Sequence, residues 1–241
     1  MRKIKLFKIF VPLIFWILVW EILAVKINKP LLLPTPLSVL LRLRELIVMP
    51  LFWKSAAMSL LRIFTGLILG TLAGTVCALM THCFRLADWI LSPVIRLIRA
   101  TPVASFIILV LLWVAKGRVP GVISALMVLP IIWENLTAGL QAADSKLLEM
   151  ARAYRLGRGR TIRYIYRPAL RPYFRTGLAN AVGFAWKAGV AAEVLCLPAA
   201  AIGREIYYSK IYLETSSLFA WTAMVIVLSL VLEKVFKRVC R

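Results

Sequence analysis

Four ionisable side chains, Arg62, Glu134, Lys187 and Glu193, fall inside or at the ends of long apolar runs. A charge at the middle of a bilayer costs about 3 kcal/mol or more, so such residues are kept to pair with one another or to handle something polar. Lys187 is the clearest case, because it lies mid-run with no interface in easy reach. It either draws an anion along a wet path or makes a structural pair. The candidate partners are Glu134 and Glu193, the latter less than about two helical turns away. Arg62 and Glu193 lie nearer run ends, where structural or interfacial roles fit better, and Arg96 and Arg99 read as interfacial. Other chemistry has little to build on. The ten acidic residues are dispersed, His82 is the single histidine, and Cys77, Cys83, Cys196 and Cys240 are scattered. That set forms neither a disulfide framework nor a Cys/His cluster, so no metal site is expected and the thiols read as packing residues. A Gly-x-x-x-x-Gly-Lys-Ser/Thr phosphate loop is also missing, so no cofactor is expected in this chain.

These residues need a membrane around them. The chain is 62% hydrophobic, with a mean hydropathy of +0.87. One globular core cannot bury so much apolar surface, whereas lipid solvates apolar helix faces directly. The pattern predicts an all-α integral membrane protein, a single domain over 1–241 with about six transmembrane helices. They run roughly 9–25, 59–80, 87–114, 120–136, 177–195 and 217–232. The first follows Met1-Arg2-Lys3-Ile4-Lys5 and imitates a signal peptide, but it is too long and no small-residue cleavage site follows, so it reads as a retained span. Pro30, Pro34 and Pro36 interrupt the chain next, and leucines at helical spacing over 37–47 predict an amphipathic surface helix. The third span is long enough to need a kink or tilt, and Pro93 and Pro102 offer two places for a kink. Residues 198–215 read as an external loop, and Trp16, Trp53, Trp89, Trp113 and Trp221 suit interface belts.

Lys and Arg number 31 against 10 Asp and Glu, a formal charge of +21. With no soluble basic domain the excess is topological rather than a nucleic-acid footprint. The densest basic segment, 141–175, is expected in the cytoplasm, as is the tail with Lys234, Lys237, Arg238 and Arg241. Both termini are then inside, by majority, since Lys29, Arg42, Arg44 and Lys54 fall outside. Gly66, Gly70 and Gly74 at four-residue spacing share one helix face and predict close helix packing.

Within 141–175, Leu147 to Tyr154 reads as one short helix. Gly157-Arg158-Gly159 is a turn, and Thr161 to Tyr166 is a second helix ending at Pro168. A helix hairpin on a membrane protein has no lipid reason to exist. Exposing Glu149 and several arginines, it suits docking onto another protein. The segment resembles the cytoplasmic coupling loop of binding-protein-dependent ABC transporter permeases, whose pattern is Glu-Ala-Ala, three residues, Gly, then Ile-x-Leu-Pro. Glu149, Ala151, Ile165 and Pro168 match. Met150 stands for the first Ala, Arg155 for the Gly and Arg167 for the Leu, and Gly157 is the candidate to make the turn instead. Leu32-Leu33-Pro34-Thr35-Pro36, Ser59-Leu60-Leu61-Arg62, Arg99 to Ala104 and Ala185 to Glu193 extend the resemblance. The last two point to its nitrate/sulfonate/taurine-type branch.

The resemblance implies a type I importer permease in a bacterial plasma (inner) membrane. It would pair with a second permease subunit, dock Glu149, Met150, Ala151 and Arg152 on a cytoplasmic ATPase dimer that binds ATP and Mg, and take solute from an extracytoplasmic binding protein. The best-fitting solute is a sulfonate, nitrate or related organic anion. On this reading the chain is not an enzyme and meets lipid but no nucleic acid. A secondary transporter or channel working alone is the alternative, and it leaves the hairpin unexplained. A membrane-embedded enzyme would need clustered acids or histidines, which the sequence lacks.

Overall fold

A computed structural model gives the fold. Residues 2–239 are described, and Met1, Cys240 and the last tail arginine, Arg241, lie outside the described residues. Every regular element among them is helical: α1 Arg2–Ile27, α2 Pro36–Val48, α3 Pro50–Cys83, α4 Arg85–Ala100, α5 Val103–Leu111, α6 Val119–Gln141, α7 Ser145–Ala153, α8 Arg158–Thr161, a π-helical segment Ile162–Tyr166, α9 Arg167–Cys196, α10 Ile202–Ile211 and α11 Thr215–Val239. By length and apolarity α3, α6 and α11 each suffice to cross a membrane, and α4 with α5 makes a fourth if the bent pair is one span. At 30 residues α9 is long enough, but Arg167, Arg171 and Arg175 charge its first turns.

The centre of the bundle is α3, α6 and α9. Gly66, Gly70 and Gly74 of α3 lie against Gly121, Ala125 and Leu129 of α6, so these two helices run parallel. A Cβ on Gly70 would come within 2.6 Å of the Ala125 carbonyl oxygen, and one on Gly74 within 2.7 Å of that of Leu129. Removing three side chains from one face is what lets the backbones approach this closely. Helix α9 returns antiparallel, with Gly177 beside Asn135 near one end and Gly189 beside Ile63 and Ser124 near the other. A hydrogen bond from Ser124 Oγ to the Ala185 carbonyl (3.1 Å) ties it to α6.

Around this core the outer elements are pinned by polar contacts at their ends. Thr35 caps α2 by accepting from Ser38 N (3.2 Å), with Pro36 pre-set at the first helical position. Arg42 of α2 donates to Ser217 Oγ (2.8 Å) and to Glu45 Oε2 (2.7 Å). The Glu45 carboxylate beside it raises the Arg42 pKa above its ordinary value. Trp20 Nε1 of α1 donates to the Pro34 carbonyl (3.0 Å), and Thr215 Oγ1 to that of Leu31 (2.7 Å).

Four expectations need correction. The third span is not gently kinked: α4 passes through Pro93 unbroken, then α5 turns away by 106°. Thr101 and Pro102 are both extended (ψ 133° and 134°), because a residue before proline is driven from the helical region. The stretch 198–215 is not a loop, since it holds α10, packed against α9, α11 and α3. No helix ends at Pro168. The helical run continues from α8 through five π-helical residues into α9 with Pro168 inside it, and the shift in hydrogen-bond register falls directly before the proline that lacks an N–H. Finally, Trp221 is buried against Phe52 (centroids 5.1 Å apart), while Trp16, Trp53, Trp89 and Trp113 are exposed.

Candidate functional site

One helix, α9, carries the predicted residues at both ends. At its start lies the hairpin. Asp144 caps α7 by accepting from Lys146 N (2.9 Å), so the helix begins where a carboxylate meets free backbone N–H groups. It is only 9 residues long and lies largely exposed. Ala151 alone is buried, leaving Glu149, Met150 and Arg152 exposed. The helix closes with Leu156 N donating to the Ala151 carbonyl (2.8 Å) and Arg155 N to that of Arg152 (3.0 Å). This Schellman pair needs a left-handed residue, and Arg155 supplies it at φ 49°. Gly157 does not take over the turn. It is extended at φ −61°, ψ 151°, and starts α8. Ile165 is half-buried in the π-helical segment, Pro168 is exposed, and the ring of Tyr166 meets His82 at the end of α3 (centroids 6.0 Å apart).

At the other end of α9, Glu193 is fully buried. Its Oε2 accepts from Ser59 Oγ of α3 (2.7 Å) and from Gly203 N of α10 (3.2 Å). The Ser59 oxygen also accepts from Ile202 N (3.0 Å), so one hydroxyl serves in both directions. Oε1 faces Arg62 Nη1 at 3.6 Å, close enough for Coulomb attraction but too far for a hydrogen bond. Arg62 spends its donors elsewhere, on the carbonyls of Ala199 (2.7 Å) and Ala200 (3.0 Å). Three helices thus meet at one buried polar knot. Beside it on α10, burial raises the Glu205 pKa, and the neighbouring Arg204 opposes the shift.

The structure separates residues that the sequence left as possible partners. Glu134 pairs with Arg99 (2.5 Å) and Glu193 with Arg62, so among the described residues neither pairs with Lys187. Arg62 and Glu193 are closed into the knot rather than spread along an open wall. Lys187 is exposed, on one face of α9 with Asn180, Phe184, Ala191 and Leu195. Ser59, Gly203 and the carbonyls of Ala199 and Ala200 escape sequence reasoning. The one available signal is the opposite charge of Arg62 and Glu193 at helix ends that an antiparallel pair brings together.

A family model described as binding-protein-dependent transport system inner membrane component matches residues 66–239, a stretch that holds the hairpin, α9 and all of the knot except Ser59 and Arg62. The chain belongs to that family. The permease is 24% identical over 206 residues to a putative aliphatic sulfonates transport permease protein of Bacillus subtilis, covering 85% of this chain and 74% of that one. A bicarbonate transport system permease protein of Synechococcus elongatus is 26% identical over 202 residues, 78% of this chain and 71% of that one. A nitrate import permease protein of Leptolyngbya laminosa is 30% identical over 148 residues, 60% and 52%. A chain in the crystal structure of an amino acid ABC transporter with histidines superposes with a TM-score of 0.64 at 22% identity, covering 79% of the permease and 91% of that chain. The likeness is one of fold. Membership of the family and the relatives named as transport permeases disfavour an ATP-independent carrier or channel.

Proposed function

We propose that the permease is half of a homodimeric type I importer whose coupling element is the hairpin 145–166. On this reading α1, α3, the bent pair α4–α5, α6, α9 and α11 make six crossings, with both termini and the hairpin in the cytoplasm and α2 and α10 outside. Glu149, Met150, Ala151 and Arg152 seat α7 on a cytoplasmic ATPase dimer, which binds ATP and Mg and hydrolyses the nucleotide. Arg155, Gly157, Ile165 and Pro168 shape the return into α9. An extracytoplasmic binding protein delivers the solute. Coupling is then a differential contact of the hairpin with two states of the ATPase.

The observation that carries this reading is the fusion of an exposed, arginine-rich hairpin to the start of α9 with no intervening loop. A push on α7 passes through the turn 154–157 into one continuous helical run, α8 to α9, whose last 30 residues span about 45 Å.

The solute is a small oxyanion, a sulfonate, nitrate or bicarbonate, as in the relatives so named. Lys187 supports this, because an exposed ammonium on the same face of a crossing helix as Asn180 belongs to a wet path rather than to lipid. The test is co-expression and purification with a candidate ABC ATPase from the same genome, followed by uptake of methanesulfonate, nitrate and bicarbonate into proteoliposomes. Glu149→Arg abolishes ATPase co-purification. If it assembles and transports normally, the coupling assignment is wrong. Lys187→Gln lowers uptake of the anion while Lys187→Arg keeps it. Equal uptake by both variants removes Lys187 from the path.

A further inference from the structure

We propose that Ser59, Arg62 and Glu193 form a latch that holds α10 against α3 and α9, and that the latch opens and closes in each transport cycle. The inference rests on the import reading above and adds a moving part at the end of α9 opposite the hairpin.

The connection from α9 to α10, Leu197–Ala201, is strained. Leu197 and Ala200 both have left-handed backbone, at φ 52° and 47°, and neither is glycine. Side chains with a Cβ occupy that region only when their surroundings impose it. Leu197 is the left-handed residue that ends α9, its N–H donating to the Glu193 carbonyl (3.0 Å), and at Ala200 the surroundings are the knot. Arg62 grips the carbonyls of Ala199 and Ala200, on either side of the strained peptide, while Ser59 and Glu193 take the first free N–H groups of α10, from Ile202 and Gly203. Four of the five hydrogen bonds in the knot therefore bind the connection or the start of α10, not one long helix to another. One hydrogen bond, from Ser59 Oγ to Glu193 Oε2 (2.7 Å), joins α3 to α9 directly, and the Arg62–Glu193 pair across the same gap is looser, at 3.6 Å.

A strained segment clamped by polar groups has two arrangements, one held and one relaxed. Which one prevails depends on where Glu193 stands relative to Ser59 and Arg62. Glu193 rides on α9, and the other two ride on α3. Any shift of α9 along or about its axis, driven from the hairpin, changes those distances and frees α10. Gly203 fits this role. A Cβ there would lie 2.5 Å from that of Glu193 and 2.6 Å from the Val194 nitrogen, so α10 seats only flush on α9.

Ala201, fully buried in the latched state, is the reporter position, and Tyr212, 69% exposed, is the control. In right-side-out proteoliposomes holding the complex with its ATPase, Ala201→Cys and Tyr212→Cys are labelled with a membrane-impermeant maleimide. Peptide mass spectrometry reads each site separately from the native thiols. At rest the Ala201→Cys site labels at least ~10-fold more slowly than the control, and with binding protein, solute and ATP it speeds up ~10-fold, following the open population. Glu193→Gln or Arg62→Gln in the same background makes labelling fast without ATP. Arg62→Lys, which keeps the charge but loses the two-pronged grip on adjacent carbonyls, gives an intermediate rate and remains informative if the other variants fail to fold. Protection of the Ala201→Cys site in every state while uptake proceeds overturns the latch and leaves the import reading intact. Absence of ATP-dependent uptake by the unsubstituted complex overturns the import reading itself.

Discussion

The two ends of α9 are built on opposite principles. At the hairpin end a short helix with a single buried side chain presents Glu149, Met150 and Arg152 to solvent, and its order comes from a cap and a turn. At the far end Glu193 has no exposure at all and the groups that hold its carboxylate are brought from other helices. The difference teaches where each kind of function can live. A surface meant to be touched by another protein is locally encoded and cheaply altered, whereas a device meant to hold is assembled from distant parts and tolerates little change.

Matched glycine substitutions break that comparison most forcefully. Gly203→Ala drives a Cβ to 2.6 Å from a backbone nitrogen that cannot step aside. It should cost about 3 kcal/mol or more. Gly159→Ala meets nothing within 4 Å and should change stability by less than about 0.5 kcal/mol. Thermal unfolding in detergent separates them: the first lowers Tm by ~10 °C and the second leaves it in place. Equal shifts would mean that the far end of α9 is no more constrained than the hairpin.

Ser59→Ala removes the donor to a buried carboxylate and the acceptor of Ile202 N–H together. A loss of about 2 kcal/mol is expected, with α10 amides exchanging faster in hydrogen-exchange measurements while those of α6 do not change. Asp144→Ala comes next, at about 1 kcal/mol for a lost N-cap. Because all of α7 but Leu148 and Ala151 is exposed, that loss stays local: α7 amides lose protection, ATPase association weakens, and the Tm of the bundle holds. A shared drop in bundle stability would deny the hairpin its independence.

What was legible in the sequence divides along the same line. The break before α2 at Pro34 and Pro36, the four-residue spacing of the glycines on α3 and the short helices of the hairpin are each written in residues within a turn or two of one another, so spacing locates them. Helix α10 was missed because Gly203, Arg204, Glu205 and Lys210 make a short polar stretch that reads as a loop until α9 and α3 are there to bury its start. The knot was missed because Ser59 and Glu193 stand 134 residues apart, and no periodicity links them. The 106° bend shows both sides at once: Pro102 marks the break in the sequence, but only the extended backbone of two successive residues turns a break into a corner.

The finest test concerns Arg155, where local encoding and function collide. Its left-handed backbone at φ 49° costs a residue with a Cβ about 1 kcal/mol. Glycine would relieve that, less about 0.5 kcal/mol for the extra freedom it has in the unfolded chain. The net gain of Arg155→Gly is therefore about 0.5 kcal/mol, all of it in the turn after α7, visible as greater protection of α7 amides. Arg155→Ala removes the same charge and keeps the strain, so the two variants sort conformation from electrostatics. If the turn exists only to shape the hairpin, Arg155→Gly binds the ATPase at least as well as the parent and Arg155→Ala no better. If both variants bind equally weakly, the guanidinium itself is part of the contact, and the strain at this position is the cost of placing a charge where the fold would accept a glycine.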